Sequence, residues 1–325
     1  MSELSPIPKR RGRLFRFCAA VVVMCAVAGY LVVQYLTGGA GTPGCKVVSG
    51  KSDGATYEFT PEQAVNAATI AAVGTGRGMP ERAVTIALAT ALQESALRNI
   101  SHGDRDSLGL FQQRPSQGWG SPKEILDPTY AANVFYEHLA KVPDYTRLPL
   151  TVAAQKVQRS GYPTAYAKHE PDATLLAAAL TGQSPATLTC EGRQAATQAA
   201  GTDAVRTALV RDFGRDVLEP ASAEVGAEAT PTPTPSASGS GDGGRTVTLP
   251  VTDAGSGSGR SLRQRGWQLA HWAVANASAL HIERVSYAGR QWTAGNTDSQ
   301  WRTAGTQGAA GAEQATGSVR IITAQ

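Results

Sequence analysis

Glu94 is a carboxylic acid set directly after a stretch, residues 83–93, that carries no charge. Apolar neighbours and the negative end of a helix both favour its neutral form. A carboxyl group that holds its proton near neutral pH is what general acid catalysis requires. Ala83, Ala87 and Ala91 fall on the same helical seam as Glu94, so a partner element or a ligand can approach closely along it. A loop rich in glycine, aspartate and glutamine follows over residues 101–120. Within it Asp104 and Asp106 are either a second acid for the same chemistry or turn-forming residues that stabilise the loop. Gln112 and Gln113 offer amide donors and acceptors to a polar ligand, or to the loop's own backbone. Trp119 suits stacking on a flat ring as well as it suits a core. The five histidines are scattered and no cysteine cluster has zinc-site spacing. Neither a metal nor another cofactor is therefore expected, nor thiol catalysis.

These residues need helices to hold them. Thr60-Pro61-Glu62-Gln63 combines a capping threonine, a proline at the first helical position and the glutamine of a capping box. The helix it starts runs toward Gly74, Gly76 and Gly78, and Met79-Pro80-Glu81 opens the helix that carries Glu94. Further helices are predicted over residues 130–141, 150–160 and 171–180. Residues 47–59 read as strand, with a hairpin turn at Ser52-Asp53-Gly54. The first domain, residues 45–192, is thus expected to be mainly α. Residues 193–218 read as a helical extension. Residues 219–244 alternate proline with threonine and end in glycine and serine, the composition of an extended disordered linker. At about 3.1 Å per residue it would reach roughly 80 Å and let a terminal domain move independently. Residues 245–325 read as a small α+β domain: a strand over 246–251, a helix over 261–280, strands within 282–292 turning at Ala288-Gly289, and a closing strand over 318–323. Trp267, Trp272, Trp292 and Trp301 form its core or an exposed ligand platform. His271 and His281 lack partners at catalytic spacing.

Charge and cysteines place the chain. Lys9, Arg10, Arg11, Arg13 and Arg16 precede the first apolar run, against one acid, Glu3. Setting that tail aside leaves the chain's 30 basic and 26 acidic residues in balance, so no nucleic-acid footprint is expected. Residues 17–36 are apolar except for Gln34 and are long enough to cross a bilayer as one transmembrane helix. The basic residues 1–16 put its N-terminus in the cytoplasm and the rest outside, a single-pass cell-membrane topology. Ala26-Val27-Ala28 offers the alternative of a cleaved signal peptide. Cys18 and Cys25 lie inside the span. Cys45 and Cys190 lie outside it, bracket the first domain and are expected to form a disulfide in that oxidising setting.

Several of these segments together resemble the lysozyme-like superfamily. Glu94-Ser95 followed by Gly109-Leu110-Phe111-Gln112 is similar to the Glu-Ser and Gly-Leu-Met-Gln pair of soluble lytic transglycosylases and goose-type lysozymes. Residues 91–120, 127–139 and 153–170 resemble lysozyme-like proteins of actinobacteria and their phages, and the resemblance spans residues 57–170. It implies that Glu94 is a general acid/base acting on the β-1,4 bond between N-acetylmuramic acid and N-acetylglucosamine in peptidoglycan. A lytic transglycosylase would use the sugar's own 6-hydroxyl and leave a 1,6-anhydro product. A hydrolase (muramidase) would use a second carboxylate and water. Ser95, Gln112, Gln113, Trp119 and Tyr162 would bind substrate. Tyr162 and Tyr166 lie where the transglycosylases carry an Ala-Tyr-Asn motif, which this chain does not reproduce at Gly161-Tyr162. That departure leaves room for a catalytically inactive peptidoglycan-binding or scaffold protein, and for a wall-opening component of a secretion or conjugation system. The last segment resembles small modules appended to exported actinobacterial wall proteins, which implies no specific activity.

Overall fold

The computed structural model describes residues 44–51, 53–160, 164–192, 201–218, 244–251, 260–295, 300–304 and 316–324. The basic tail, the expected span at residues 17–36, the linker over 219–243 and Tyr162 lie outside the described residues. Among the described residues no helix is long and apolar enough to cross a membrane.

The first domain is helical around one short sheet. Strands β1 (Cys45–Val48) and β2 (Thr56–Phe59) form the expected hairpin, and β3 (Leu188–Cys190) pairs antiparallel on the other edge of β1. That register sets Cys45 directly opposite Cys190, and the two are joined by a disulfide. The bridge closes a loop of 145 residues, which stabilises the fold by roughly 5 kcal/mol through the entropy it removes from the unfolded chain.

Helix α1 (Pro61–Gly76) begins with the capping box read from Thr60 and Gln63. Helix α2 (Glu81–Ser95) is the central element, with every residue from Ala83 to Leu92 buried. It is surrounded by α1, by α4 (Pro128–Ala140), by α5 (Leu150–Gln158) and by α6 (Glu170–Leu180). Alanines at 83, 87, 89 and 91, all fully buried, permit neighbours on all sides, because a methyl group keeps helix axes close. Between α2 and α4 the chain makes a 3-10 turn at Pro115–Gln117 and the single-turn helix α3 (Pro122–Ile125), which Ser121 and Glu124 cap reciprocally. A second 3-10 turn, Ala165–His169, leads into α6.

Helix α7 (Gly201–Phe213) follows, and residues 193–200 of the expected extension lie outside the described residues. A 3-10 turn at Arg215–Leu218 comes next. The α+β segment then adds β4 (Thr246–Pro250), α8 (Leu262–Ala275), α9 (Ala277–Leu280), β5 (Ile282–Tyr287), β6 (Arg290–Thr293), β7 (Arg302–Thr303) and β8 (Ser318–Thr323). Its sheet has the order β4-β8-β5-β6-β7 with every pairing antiparallel. Ala288 and Gly289 both take positive φ, at 48° and 72°, as a two-residue hairpin loop requires.

The expectation of an independently moving terminal domain is corrected here. Helix α8 is buried from Gly266 to Ala275, with the five-stranded sheet against it on one side and α1, α6 and β3 on the other. The tryptophans are neither an exposed platform nor only a local core. Trp272 Nε1 donates to Asp212 at 2.8 Å, Trp292 Nε1 to the Cys190 carbonyl at 3.0 Å, and Trp301 Nε1 to the Leu188 carbonyl at 2.9 Å. Gln268 bonds Thr75 Oγ1, and Arg260 donates to the Thr75 carbonyl at 2.6 Å. Gly182 shows how close the approach is: its φ is +80°, and a Cβ there would lie 1.9 Å from the Gln264 carbonyl oxygen. A linker composition signals a chain that can reach far. It does not say whether the domain beyond it docks.

Candidate functional site

Helix α2 stops abruptly. Ala96 and Leu97 adopt left-handed conformations, φ 52° and 57°, and their amides return to Leu92 and Ala91. This is a reversed-turn stop of the kind usually given to glycine. It is held from outside by Gln63 Nε2 on the Ala96 carbonyl and Asn66 Nδ2 on the Leu97 carbonyl, each at 2.8 Å. Glu94 therefore sits in the last turn of a fixed helix, partly exposed, while residues 83–92 before it are buried.

Tyr166 meets it. The Tyr166 hydroxyl donates to Glu94 Oε1 at 2.7 Å, and its ring is fully buried. Burial first, and then the hydrogen bond to Glu94, push the phenol well above its ordinary range, so it stays a donor at any working pH. Ser160 also hydrogen-bonds Tyr166 and passes the restraint to Gln155 at 3.3 Å. Among the described residues no second group pairs with the Glu94 carboxylate. Beside it, Gln93 Oε1 and His169 Nε2 are 3.2 Å apart. Burial, then Lys168, lowers the His169 pKa, with Asp172 opposing, which favours a neutral ring.

The loop after the helix is pinned rather than free. Ser95 Oγ donates to the Leu110 carbonyl at 2.8 Å, and Gln158 Nε2 from α5 donates to the Phe111 carbonyl at 2.7 Å. Leu108 and Gln113 exchange backbone hydrogen bonds of 2.9 and 3.0 Å across the turn. Gly109, at φ +73°, is required there twice over, since a Cβ would lie 2.6 Å from the Ile125 carbonyl oxygen. Gln112 takes φ 48°, and its amide donates to the Gly109 carbonyl at 3.1 Å.

The expected site residues separate accordingly. Glu94 is at the surface of the site, with Tyr166 in place of Tyr162, which is not described. Ser95 and Gln113 are buried and hold backbone, Gln113 Nε2 donating to the Ala131 carbonyl at 3.1 Å. Their geometry is that of positioning residues, not of sugar contacts. Asp106 accepts from Arg114 Nε at 2.8 Å and from the Ser116 amide at 2.9 Å. Those hydrogen bonds, Ser116 first and Arg114 next, hold its carboxyl far below the usual range, so it cannot donate a proton and is committed to the loop. Asp104 is open to solvent, 92% exposed, with Arg105 at 4.0 Å. Neither aspartate is brought to Glu94 by any hydrogen bond. Tyr166 was legible only as part of Ala165-Tyr166-Ala167, two of the three residues of the expected motif, displaced four positions from Tyr162.

Trp119 borders a separate cavity of about 610 Å³ between the C-terminal ends of α4 and α5. Gln158 lies on its wall and Glu94 does not, so Gln158 joins the cavity to the pinned turn beside the acid. Among the described residues no group of histidine, cysteine or acidic side chains is arranged to hold a metal.

Compared with known families, the chain matches one family model, described as the VldE C-terminal domain, over residues 202–315. The match covers about a third of the chain and excludes Glu94 and its loop. No curated protein matches the chain. The matched region begins within α7, not at the linker, and α7 supplies Asp212, the buried partner of Trp272. The family boundary and the buried hydrogen bond thus group α7 with the α+β segment.

Proposed function

We propose that the chain is a membrane-anchored, peptidoglycan-cleaving glycosidase of lysozyme-like type, with Glu94 as its general acid and base. One observation carries the reading: a partly exposed carboxylate whose Oε1 is fixed at 2.7 Å by a phenol that remains protonated. That pairing fixes the carboxylate's orientation and supports its charge once the proton has gone to the glycosidic oxygen. With Asp106 engaged by Arg114 and Asp104 turned to solvent, a mechanism that uses Glu94 alone is the branch we favour, transglycosylation over hydrolysis. Glu94 would first protonate the bridging oxygen and then take the proton of the sugar's own 6-hydroxyl, which closes the 1,6-anhydro ring. Hydrolysis needs a second carboxylate facing the same bond, and Asp106 is bound up in the loop.

The test is digestion of purified peptidoglycan by the full chain, with products identified by mass spectrometry. Anhydro-muropeptides are expected, falling by a factor of ~10²–10⁴ in Glu94→Gln, the usual contribution of general acid catalysis. Reducing-end products would favour the muramidase reading. No release by the unmutated chain would leave the wall-binding or scaffold reading in its place.

A further inference from the structure

The cavity bordered by Trp119 and Gln158 has a charge pattern that cleavage of a neutral sugar backbone does not require. Three cations line it, Lys141 at the end of α4 and Lys156 and Arg159 at the end of α5, and no carboxylate does. None of the three has an ion-pair or hydrogen-bond partner for its side chain among the described residues. Glu137, one turn before Lys141 on α4, is engaged elsewhere, with Arg77 at 3.6 Å. In a chain whose charges otherwise balance, three unpaired cations around one cavity are a local field for an anion. Trp119 supplies a flat apolar wall, its ring centroid 4.2 Å from that of His138. Burial, then Lys141, lowers the His138 pKa, with Glu137 opposing and Arg159 adding to the lowering, consistent with cations converging there. A volume of about 610 Å³ falls within the size of small-molecule sites and accommodates a sugar with a substituent.

We propose that this cavity is an anion subsite that receives a carboxylate carried on the sugar chain, with the sugar against Trp119 and the carboxylate between Lys141, Lys156 and Arg159. The proposal rests on the glycan-cleaving reading of Glu94 and names the substrate feature that would orient the strand: an acidic substituent next to the bond cleaved. Gln158, which lines the cavity and holds the Phe111 carbonyl, ties occupancy of the subsite to the turn beside the acid. The carboxylate has two sources in wall glycan, the lactyl group of a peptide-free muramic residue and the stem peptide of a peptide-bearing one.

Binding is measured by calorimetry on the full chain in the Glu94→Gln background, so that ligands survive. Three ligands are compared: uncharged N-acetylglucosamine oligomers, peptide-free glycan strands and peptide-bearing strands. At least one acidic ligand should bind tighter than the uncharged oligomer and weaken with added salt. The added substitutions Lys141→Gln, Lys156→Gln and Arg159→Gln, all on exposed side chains, should then cost that ligand about tenfold or more. Whichever acidic strand shows the loss identifies the source. Equal affinity for acidic and uncharged ligands, or equal losses on both, overturns the subsite while leaving cleavage by the unsubstituted chain to stand. Failure to bind any of the three overturns the subsite and the glycan reading together.

Discussion

At the scale of single residues, the proposed chemistry depends on how Glu94 is held. Its position at a helix end next to an uncharged run was legible from the sequence, because absence of charge over eleven residues has few explanations other than burial. Its partner was legible only as one of two candidates, Tyr162 and Tyr166, since Tyr166 lies 72 residues away and approaches only through the 3-10 turn before α6. Asp104 and Asp106 could not be separated on sequence either; the difference is Arg114, which happens to reach Asp106. On the glycosidase reading proposed above, these contacts make Tyr166 a positioning residue whose hydroxyl, not its ring, matters to the reaction. Tyr166→Phe keeps the buried ring and removes the donor to Oε1. A hydrogen bond to a charged group contributes ~1.5–3 kcal/mol, so kcat is expected to fall by about ten- to a hundredfold with KM little changed. Steady-state kinetics on soluble glycan strands check this. A rise in KM at unchanged kcat would mean that Tyr166 contacts substrate rather than steering the acid.

At the scale of elements, periodicity and capping chemistry were sufficient for most of the framework. The capping box at Thr60, the helix from residue 128 to 140, the closing strand at 318–323 and the hairpin at Ala288-Gly289 all lie within a few residues of their expected positions. What local sequence could not give is the geometry of the loop after α2, whose shape is imposed by long-range contacts from Ser95, Gln158 and the Ile125 carbonyl. Gly109 is where that shape is most exacting. Gly109→Ala meets two penalties, a left-handed backbone and a Cβ 2.6 Å from backbone oxygen that cannot swing away. Left-handed alanine alone costs about 1–3 kcal/mol, and displacement of the turn would carry the Leu110 and Phe111 carbonyls off Ser95 and Gln158. The variant is expected to lose several degrees of thermal midpoint and most of its turnover. Wild-type turnover at wild-type stability would show that the turn does not set the position of the acid.

At the scale of the whole molecule, the α+β segment completes the first domain's surface, and the sequence concealed this for a physical reason. A tryptophan in a local core and one buried at a docking surface have the same composition signal, and a Pro/Thr/Gly/Ser linker is equally compatible with docking and with free motion. The interface also contains a titratable group. His271 on α8 is fully buried between Trp267 and Trp301, with Nδ1 2.8 Å from the Ala179 carbonyl of α6. Burial pushes its pKa down from 6.5 to about 4, against a smaller raising effect of that carbonyl. The sign follows from which state holds the proton: between these values the unfolded chain binds a proton that the folded chain excludes. Stability is therefore complete above pH 6.5 and declines as the pH falls toward about 4. Between pH 7 and pH 5 the loss amounts to about 2 kcal/mol, taking 1.36 kcal/mol per unit. His271→Gln, which can still reach the Ala179 carbonyl but does not titrate, should flatten that part of the profile even if it lowers stability at pH 7. Denaturant titrations of both proteins at the two pH values measure the difference directly. Parallel pH profiles would mean that acid acts elsewhere in the fold. A steeper loss in the unsubstituted chain, accompanied by faster hydrogen exchange along α8, would place the first acid-sensitive opening at the contact between α8 and α6.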